Sequence, residues 1–531
     1  MPSYLSPGVY VEEVPSAGGS LSAGATAIAA FVGFTAKGPK SEGDEHGETP
    51  RLVTSWAQFE SLYGSFVDGA MLPHAVYGWF QNGGSSCYIA RVPHMKPSAQ
   101  PRQLALAAAD KGVSADGNVV NIESKEPVDG LTVSVSVNNE VDPDEPGAGP
   151  TFDLIVFDDN KEVESFTGLS LDPKSPNAVA TKTKDAKFVT VTVADLPADL
   201  EDLSLALPKP GNFPVKAPDA GVPIDMKAAN FVGSETARKG INGLALAEDV
   251  TIVMVPDLVT VAKPDRTSKD FNKTMWKGVH AALIAHCEQH GNRMAILDPP
   301  PGLNIQEMKD WRNEGIYSSA FATMYYPWIK ISNPIQAADA DPELTVPPCG
   351  HIAGLWARTD ATRGVWKAPA NDTIRGLVGL ERSITMADQD NLNPIGVNCI
   401  RNFGTRGTRV WGARTLAPAE GEWRYINVRR LFNMIETTIM EGTQWAVFEP
   451  NDIRLWEGVK RTLNAFLRGL WRDGALFGAT AEQAFFVKCD AELNPPESID
   501  EGKLIVEVGI APVKPAEFVI FRISQYKDAA A

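Results

Sequence analysis

Residues 250–255, VTIVMV, form a continuous apolar run, which is typical of a strand buried on both faces of a parallel sheet. A helix is predicted over residues 271–290, with Gly291 as its C-cap. Further strands are predicted at residues 294–297 (MAIL) and 320–325 (AFATMY). Strands and helices that alternate at this spacing predict βαβ units and a mostly parallel sheet.

The beginning of the chain carries the same α/β pattern. A buried strand is predicted at residues 26–34 (TAIAAFVGF) and another at residues 87–92 (CYIARV). Between them, apolar residues recur at helical spacing in residues 56–63, and a second helix is predicted at residues 70–80. We therefore expect the first 100 residues to close the same sheet.

The segment 106–230 differs from the rest of the chain in its sequence pattern and in its charge. Short strand-like runs at residues 131–137, 152–157 and 188–193 are separated by turn-rich stretches, which predicts a small β-rich domain. The segment holds 22 Asp and Glu against 10 Lys and Arg, so it carries most of the net charge of −17. We expect an inserted acidic domain on the solvent side of an α/β core.

The C-terminal part turns basic, with 12 Arg and Lys against 8 Asp and Glu over residues 401–475. Amphipathic helices are predicted at residues 428–440 and 452–471, and alternating strands at residues 503–510 and 517–523. The second helix has an apolar stripe of Ile453, Trp456, Val459, Leu463, Leu467 and Leu470. Its basic residues are Arg454, Lys460, Arg461, Arg468 and Arg472. Such a face is ordinary for a solvated helix, but in an acidic protein it also suits an acidic partner.

Composition excludes several classes of function. A net charge of −17 argues against a nucleic-acid-binding surface. The five cysteines are scattered, which gives no disulfide framework and favours a reducing compartment. No secretory signal is visible, and the apolar stretch 23–36 is too short to span a membrane.

Candidate catalytic and binding residues are few. His286 and His290 are four residues apart on a predicted helix, as in zinc sites, but the metalloprotease pattern is absent and helix capping is favoured. The stretch 404–409 (GTRGTR) could bind an anion, although a structural loop is the more common outcome. Asp257 and Asp298 follow predicted strands, where α/β enzymes place catalytic groups. Nothing nucleophilic accompanies them, so we predict no catalytic residue, no cofactor and no metal.

Several short stretches together resemble the contractile tail sheath family of phages, tailocins and contractile injection systems. The resemblance covers about residues 1–105 and 231–531. It is carried by PGVYVEE (7–13), AFVGF (30–34), KGP (37–39), NGG (82–84), CYIARV (87–92), NPIGVN (393–398), VWGARTL (410–416), YINVRR (425–430) and FEPN (448–451).

The resemblance implies a structural subunit of the bacterial cytoplasm at assembly and then of a phage-tail-like particle. Such subunits stack as rings around an inner tube protein, meet baseplate and terminator or cap proteins, and contract to drive the tube through a target envelope. Neither nucleic acid nor membrane insertion is implied. The expected organisation is an N-terminal arm (1–22), a core α/β domain (23–105 and 231–392), the inserted outer domain (106–230), a tube-facing inner domain (393–510) and a C-terminal arm (511–531).

The resemblance also implies roles for the two ends and for the basic helix. The strand predicted in SPGVYVEEVPS (6–16) is bounded by Pro7 and Pro15, which cannot extend a strand ladder. Such a short strand needs a partner, because even a two-stranded hairpin is barely stable in water, and the sequence shows no evident partner for it. We expect it to pair with another subunit's C-terminal strand; the arm residues are Val9, Tyr10, Val11, Glu12, Phe518, Val519, Ile520 and Phe521. The helix 452–471, with its five basic residues, is the candidate tube-facing helix.

Two other hypotheses are kept. The first is an α/β hydrolase-like enzyme that uses carboxylates near Asp257 and Asp298. The second is a non-contractile assembly or adhesion protein that uses the same arms.

Overall fold

A computed structural model of the 531-residue chain describes most of the sequence. The described residues are 21, 26–39, 44, 46–67, 69–93, 95–96, 103–108, 118–125, 131–138, 150–158, 161–194, 206–215, 222–223, 226–262, 271–315, 317–335 and 341–522. The chain divides into two compact units: the first is Met1–Pro93 with Met226–Ala531, and the second is His94–Asp225.

The strands are, in chain order, β1 (Ala29–Gly33), β2 (Arg51–Val53), β3 (Cys87–Arg91), β4 (Met95–Lys96), β5 (Gln103–Ala107), β6 (Asn118–Ser124), β7 (Leu131–Asn138), β8 (Thr151–Asp158), β9 (Lys161–Leu169), β10 (Val189–Val193), β11 (Gly211–Pro214), β12 (Val222–Pro223), β13 (Ile252–Met254), β14 (Met294–Leu297), β15 (Ala322–Tyr326), β16 (Ile329–Ser332), β17 (Glu343–Val346), β18 (Leu377–Leu380), β19 (Val397–Asn402), β20 (Thr408–Val410), β21 (Phe485–Lys488) and β22 (Glu507–Ile510).

The α-helices are α1 (Trp56–Tyr63), α2 (Leu72–Asn82), α3 (Val179–Lys182), α4 (Ala228–Val232), α5 (Gly240–Gly243), α6 (Leu258–Ala262), α7 (Lys273–His290), α8 (Ile305–Glu314), α9 (Cys349–Arg363), α10 (Met386–Leu392), α11 (Ile426–Gly442), α12 (Ile453–Arg472), α13 (Ala481–Ala484) and α14 (Pro496–Asp500). Gly291 closes α7 in the left-handed conformation, with φ 72°, as the sequence predicts for a C-cap.

The first unit is built on an eight-stranded sheet with the order β2-β3-β1-β13-β14-β15-β19-β20. The six strands from β3 to β19 run parallel, and β2 and β20 are antiparallel edges. Strand β1 pairs with both β3 and β13, so the start of the chain closes the sheet that the later strands build. The mixed α/β fold with a mostly parallel sheet is therefore confirmed.

Both faces of this sheet are covered, which explains the continuous apolar runs in the sequence. In β1, Ala30 and Val32 belong to one hydrophobic cluster, which includes Trp276 of α7. Ala29 and Phe31 belong to the other, which includes Trp79 of α2 and Trp356 of α9. A strand with apolar neighbours on both faces cannot show the alternation of a half-exposed strand.

The C-terminal part of the first unit is a smaller body of two long helices and a hairpin-like sheet. Helix α12 starts at Asp452, whose side chain accepts hydrogen bonds from the backbone N–H groups of Arg454 and Leu455 at 2.9 and 3.0 Å. Strands β21 and β22 pair antiparallel from Phe485–Ile510 to Lys488–Glu507. The N-terminal residue Leu21 also packs into this body.

The second unit has its own core between two antiparallel sheets, β10-β6-β5 and β11-β7-β8-β9. Alternate residues of its strands point inward: in β7, Leu131, Val133 and Val135 are buried and the residues between them are not. The unit consists mainly of β-strands, and its position is to be compared with that of the β-rich insertion expected from the sequence. It spans His94–Asp225, whereas the expected boundaries were 106 and 230.

Two C-terminal predictions are wrong in the single chain. The predicted strand 503–510 is shorter, because only Glu507–Ile510 pairs with β21. Residues 517–522, the described part of the predicted strand 517–523, form no strand. Alternating side chains favour extended backbone, but a strand also needs a partner for its hydrogen bonds, and the described part of the chain offers these residues none.

Candidate assembly surfaces

The basic side of α12 is carried by four arginines. Arg454, Arg461, Arg468 and Arg472 are exposed and follow one another at steps of seven, seven and four residues, which places them on one side of the helix. None of them forms an ion pair within the described parts of the chain. Lys460 differs, because it is partly buried and its Nζ lies 2.5 Å from Glu457.

The opposite side of α12 holds the helix in place. Leu463 and Leu467 are 1% and 0% exposed, and the helix packs against β21. Ile453, which the sequence placed in the buried stripe, is 69% exposed. Phe448 and Val447, in the turn before the helix, are also exposed. The helix therefore presents its arginines from a rigid support.

Strands β21 and β22 form a sheet of two strands only, over the residues that the structure describes. Two-stranded sheets are marginally stable alone, and each outer edge carries backbone N–H and C=O groups that can pair with a further strand. Phe486 of β21 is 51% exposed. This sheet is a candidate receiver for an arm.

The C-terminal segment leaves β22 and is continuously exposed over residues 518–522. Phe518, Val519, Ile520 and Phe521 are 71, 69, 80 and 84% exposed. Four consecutive apolar side chains in water are unusual for a soluble domain and mark an interaction segment. These are the C-terminal arm residues that the sequence singles out. The N-terminal arm residues Val9, Tyr10, Val11 and Glu12 lie outside the described residues.

Asp257 follows β13 and serves the backbone. Its carboxylate accepts hydrogen bonds from the N–H groups of Phe34 at 2.6 Å, of Met71, and of Leu72 at 3.3 Å. Met71 and Leu72 begin α2, so Asp257 satisfies the N–H groups that a helix start leaves open. Its side chain is fully buried, and burial raises its pKa to about 7 against the opposing effect of these hydrogen bonds.

Asp298 follows the neighbouring strand β14 and has the same kind of role. Its Oδ1 accepts from the backbone N–H of Cys349, the first residue of α9, at 3.2 Å. It is 4% exposed, and burial raises its pKa to about 7. The enzyme hypothesis rests on Asp257 and Asp298, and both carboxylates are buried and accept hydrogen bonds from backbone N–H groups at the starts of α2 and α9.

His286, the first of the paired histidines, has a hydrogen-bond partner inside the protein. His286 is buried, and its Nε2 accepts from Nη1 of Arg293 at 3.1 Å. Burial, together with the charge of Arg293, lowers the pKa of His286 to about 3. No group of three or more His, Cys, Asp or Glu side chains with metal-binding geometry occurs among the residues the structure describes. In the described part of the chain, no helix combines the length and the apolar character that crossing a membrane requires.

The arginines of the stretch 404–409 are held by the protein itself. The guanidinium group of Arg406 lies 4.8 Å from the ring centre of Phe403. Arg409 donates to the carbonyl oxygens of Arg406 and Asn371 at 3.0 and 2.9 Å. The stretch is a short 3-10 turn followed by β20, which agrees with a structural loop.

Two ion pairs were missed by sequence reasoning. Arg430 and Asp360 join α11 to α9, with side chains 3% and 5% exposed. Arg414 and Glu517 join the core to the C-terminal segment, with side chains 9% and 19% exposed. Sequence gives no signal for either pair, because the partners are 70 and 103 residues apart. The only hint was that Arg414 and Arg430 lie in stretches that carry the family resemblance.

Comparison with known proteins decides the family. The profile of the phage tail sheath protein central domain matches residues 270–416, and that of the phage tail sheath C-terminal domain matches residues 420–525. A chain in the cryo-EM structure of the anti-feeding prophage helical sheath in the contracted state is 26% identical, with a TM-score of 0.57. That similarity covers 98% of this chain and 99% of the other. The chain belongs to the contractile tail sheath family.

Further relatives agree with this family of structural sheath proteins. A chain of the anti-feeding prophage baseplate structure is 25% identical, with a TM-score of 0.57, covering 99% of this chain and 100% of the other. The tail sheath protein of Burkholderia phage BcepMu is 30% identical over 58% of this chain, and the one of Vibrio phage KVP40 is 30% identical over 33%. These two matches span 64% and 26% of the relatives' own lengths.

Replacing Asp298 with asparagine should flatten the pH dependence of stability. The folded pKa of about 7 lies above the ordinary value of 3.8, so the folded chain keeps a proton that the unfolded chain releases. This contribution to stability is fully present below pH 3.8 and is lost as the pH rises through 7, by at most about 4 kcal/mol at 1.4 kcal/mol per pKa unit. An asparagine side chain stays neutral throughout.

The measurement is the melting temperature of the unpolymerised chain at pH 5 and pH 8. Asp298→Asn should lose less stability between pH 5 and pH 8 than the wild type. Part of the pH dependence should remain, because the pKa of Asp257 is also raised to about 7. Replacing the exposed Asp390 with asparagine is the control and should behave like the wild type. Equal pH dependence in all three proteins would contradict the assignment.

Proposed function

We propose that the chain is the structural subunit of a contractile sheath. Its copies polymerise as stacked rings around an inner tube and contract to drive that tube through a target envelope. The observation that carries the proposal is the similarity, over nearly the whole chain, to a subunit of a contracted helical sheath. The particle resembles a phage tail, is assembled in the bacterial cytoplasm, and includes baseplate and terminator proteins.

Neighbouring copies are linked by strand exchange of their terminal arms. The support is the exposed apolar segment Phe518–Phe521, which has no strand partner among the described residues, and the sheet of β21 and β22, which has only these two strands in the described part of the chain. Strand addition supplies main-chain hydrogen bonds for affinity and side-chain pockets for specificity. The strand that the sequence predicts around Val9–Glu12 supplies the second arm in the same way.

The arginine side of α12 is proposed to face the inner tube. The four arginines are exposed, lack ion-pair partners among the described residues and are backed by a buried stripe, so they are free to meet carboxylates of another protein. The acidic insertion, with its separate core, is assigned to the outer surface of the particle.

Contraction requires no nucleotide in this proposal. If the assembled, extended lattice buries less surface than the contracted lattice, the difference in free energy is stored at assembly and released by the baseplate. Electron microscopy of the native particle tests the function. Striated tubes of two lengths and widths are expected, tubes that never shorten would indicate a static assembly protein, and dispersed catalytically active monomers would indicate an enzyme.

Removing residues 1–15 should leave a folded chain that does not polymerise, because the described core does not include that strand. Circular dichroism and the melting temperature should match those of the full chain, while sedimentation should show no long polymers. Loss of the fold, or normal polymerisation, would contradict the role of the N-terminal arm.

Replacing Val519 with proline should abolish or strongly reduce polymerisation, since proline removes one backbone N–H and disrupts a strand ladder. Replacing Val519 with threonine keeps β propensity and is the matched control. Because the side chain is 69% exposed, neither change should alter the melting temperature of the unpolymerised chain by more than a few degrees. Equal polymerisation of both variants would argue against a strand at this position.

Reversing two charges on α12, in the double variant Arg461→Glu and Arg468→Glu, should leave the fold intact and weaken association with the inner tube at least tenfold. The control reverses Lys273 and Lys309 on α7 and α8, with the same change in net charge. Co-sedimentation of sheath with purified tubes at several salt concentrations measures the difference. If both double variants bind tubes alike, α12 does not face the tube.

A further inference from the structure

The C-terminal segment returns from the small sheet to the edge of the core before it becomes exposed. Beyond β22, the carbonyl oxygen of Ala511 accepts from the N–H of Phe477 at 2.7 Å. The carbonyl oxygen of Val513 accepts from Nδ2 of Asn427, on α11, at 3.2 Å. The next strong attachment is four residues later, at Glu517.

Glu517 is held by three side chains of the core. Its carboxylate accepts from Arg414 Nε at 2.9 Å and Nη2 at 2.6 Å, from Asn393 Nδ2 at 2.9 Å, and from Tyr425 Oη at 3.2 Å. Burial alone would raise the pKa of Glu517, but the hydrogen bonds and the charge of Arg414 outweigh it and lower that pKa. Four hydrogen bonds to one carboxylate hold it in a single position and stabilise its ionised form.

Arg414 is in turn fixed to the central sheet through its backbone. Its N–H donates to Oδ1 of Asn398 at 2.7 Å, and its carbonyl oxygen accepts from Asn398 Nδ2 at 2.8 Å and from Thr323 Oγ1 at 2.9 Å. Thr323 lies on β15 and Asn398 on β19, and both are fully buried. The contacts of Glu517 therefore continue, without a solvent-exposed step, into the sheet.

The attachment ends abruptly at Glu517. Its side chain is 19% exposed, whereas the next residue, Phe518, is 71% exposed, and the three after it are at least 69% exposed. Among the described residues, Glu517 is the last whose side chain is hydrogen-bonded to the core. It stands where the fixed part of the chain meets the exposed apolar arm.

We propose that the Glu517–Arg414 pair is the mechanical anchor of the C-terminal arm, which transfers the pull of a neighbouring subunit to the central sheet. This inference rests on the proposed function, in which the arm is held by another copy. Glu517 acts as a positioning residue: it fixes the point from which residues 518–521 project.

The anchor matters because the alternative load path is weak. Without it, a pull on Phe518 would act on Val513 and then on β22, which pairs with β21 over four residue pairs. A short strand at an edge can be peeled away one hydrogen bond at a time. With the anchor, the same force must break several hydrogen bonds of one carboxylate together, and the small sheet stays available for its own partner.

The first test measures position in the unpolymerised chain. All five native cysteines are buried, so introduced surface cysteines can be labelled selectively. Spin labels at Ala516→Cys and Asp390→Cys should give one narrow distance distribution in the wild type. Glu517→Gln should broaden it at least twofold. Glu501→Gln, which removes the exposed pair with Lys503 at 61% and 64% side-chain exposure, is the matched control and should leave it narrow.

The second test uses assembled tubes. Tubes of Glu517→Gln should form but break into fragments when contraction is triggered, at least tenfold more often than wild-type or Glu501→Gln tubes in electron micrographs. If Glu517→Gln does not fold, Tyr425→Phe removes a single hydrogen bond to Glu517 and should give an intermediate broadening.

The outcomes separate the anchor from the proposed function. A narrow label distribution in Glu517→Gln, or tubes of this variant that contract intact, would overturn the anchor while the sheath function stands. Wild-type chains that never form contractile tubes would instead overturn the proposed function, whatever the labels show.

Discussion

Every backbone N–H and C=O group that leaves water must find a hydrogen-bond partner, and this requirement organises the whole molecule. Inside the core it is met by a sheet of eight strands with covered faces and by aspartates that hold the helix starts. In the small sheet, β21 and β22 pair with each other along one edge each, and their outer edges have no strand partner among the described residues. Exposed strand edges of this kind can accept a further strand, and a strand added by another copy is one way to pair them.

The buried aspartates show why position at a sheet edge does not define an active site. Asp257 and Asp298 lie beyond neighbouring parallel strands, where α/β enzymes place their catalytic groups. Helices α2 and α9 begin at this edge, and the carboxylates satisfy their first N–H groups. At this edge an α/β enzyme would present a carboxylate to its substrate, but in this chain both carboxylates are buried beneath the helix starts. A raised pKa is then a consequence of burial and carries no implication of catalysis.

The sequence predicted well those helices and strands that depend on local features, such as the spacing of apolar residues. Helix α1 and strand β14 have the predicted bounds, and α12 begins one residue after its predicted start and ends one residue after its predicted end. The prediction of a strand near the C-terminus was wrong, because residues 517–522 have the alternating pattern of a strand but no strand partner among the described residues. The Glu517–Arg414 pair could not be predicted, since it joins residues 103 positions apart and depends on how β20 and the segment after β22 meet. The arginines of α12 were predicted as exposed, but whether they meet a tube is decided by a molecule outside this chain.

The proposed joints differ in strength in a way that suits contraction. A sheath that slides along a tube needs contacts that form and break, and exposed ion pairs of the kind α12 can make contribute only about 0–1 kcal/mol each. Links between subunits must survive the same movement. Strand pairing supplies several hydrogen bonds in one unit, and the Glu517–Arg414 pair, with side chains 19% and 9% exposed, is less accessible to water than the arginines of α12. In the proposed sheath, exposed arginines on α12 and a shielded anchor at the arm would thus place the weak contact where sliding occurs and the strong contact where coupling must persist.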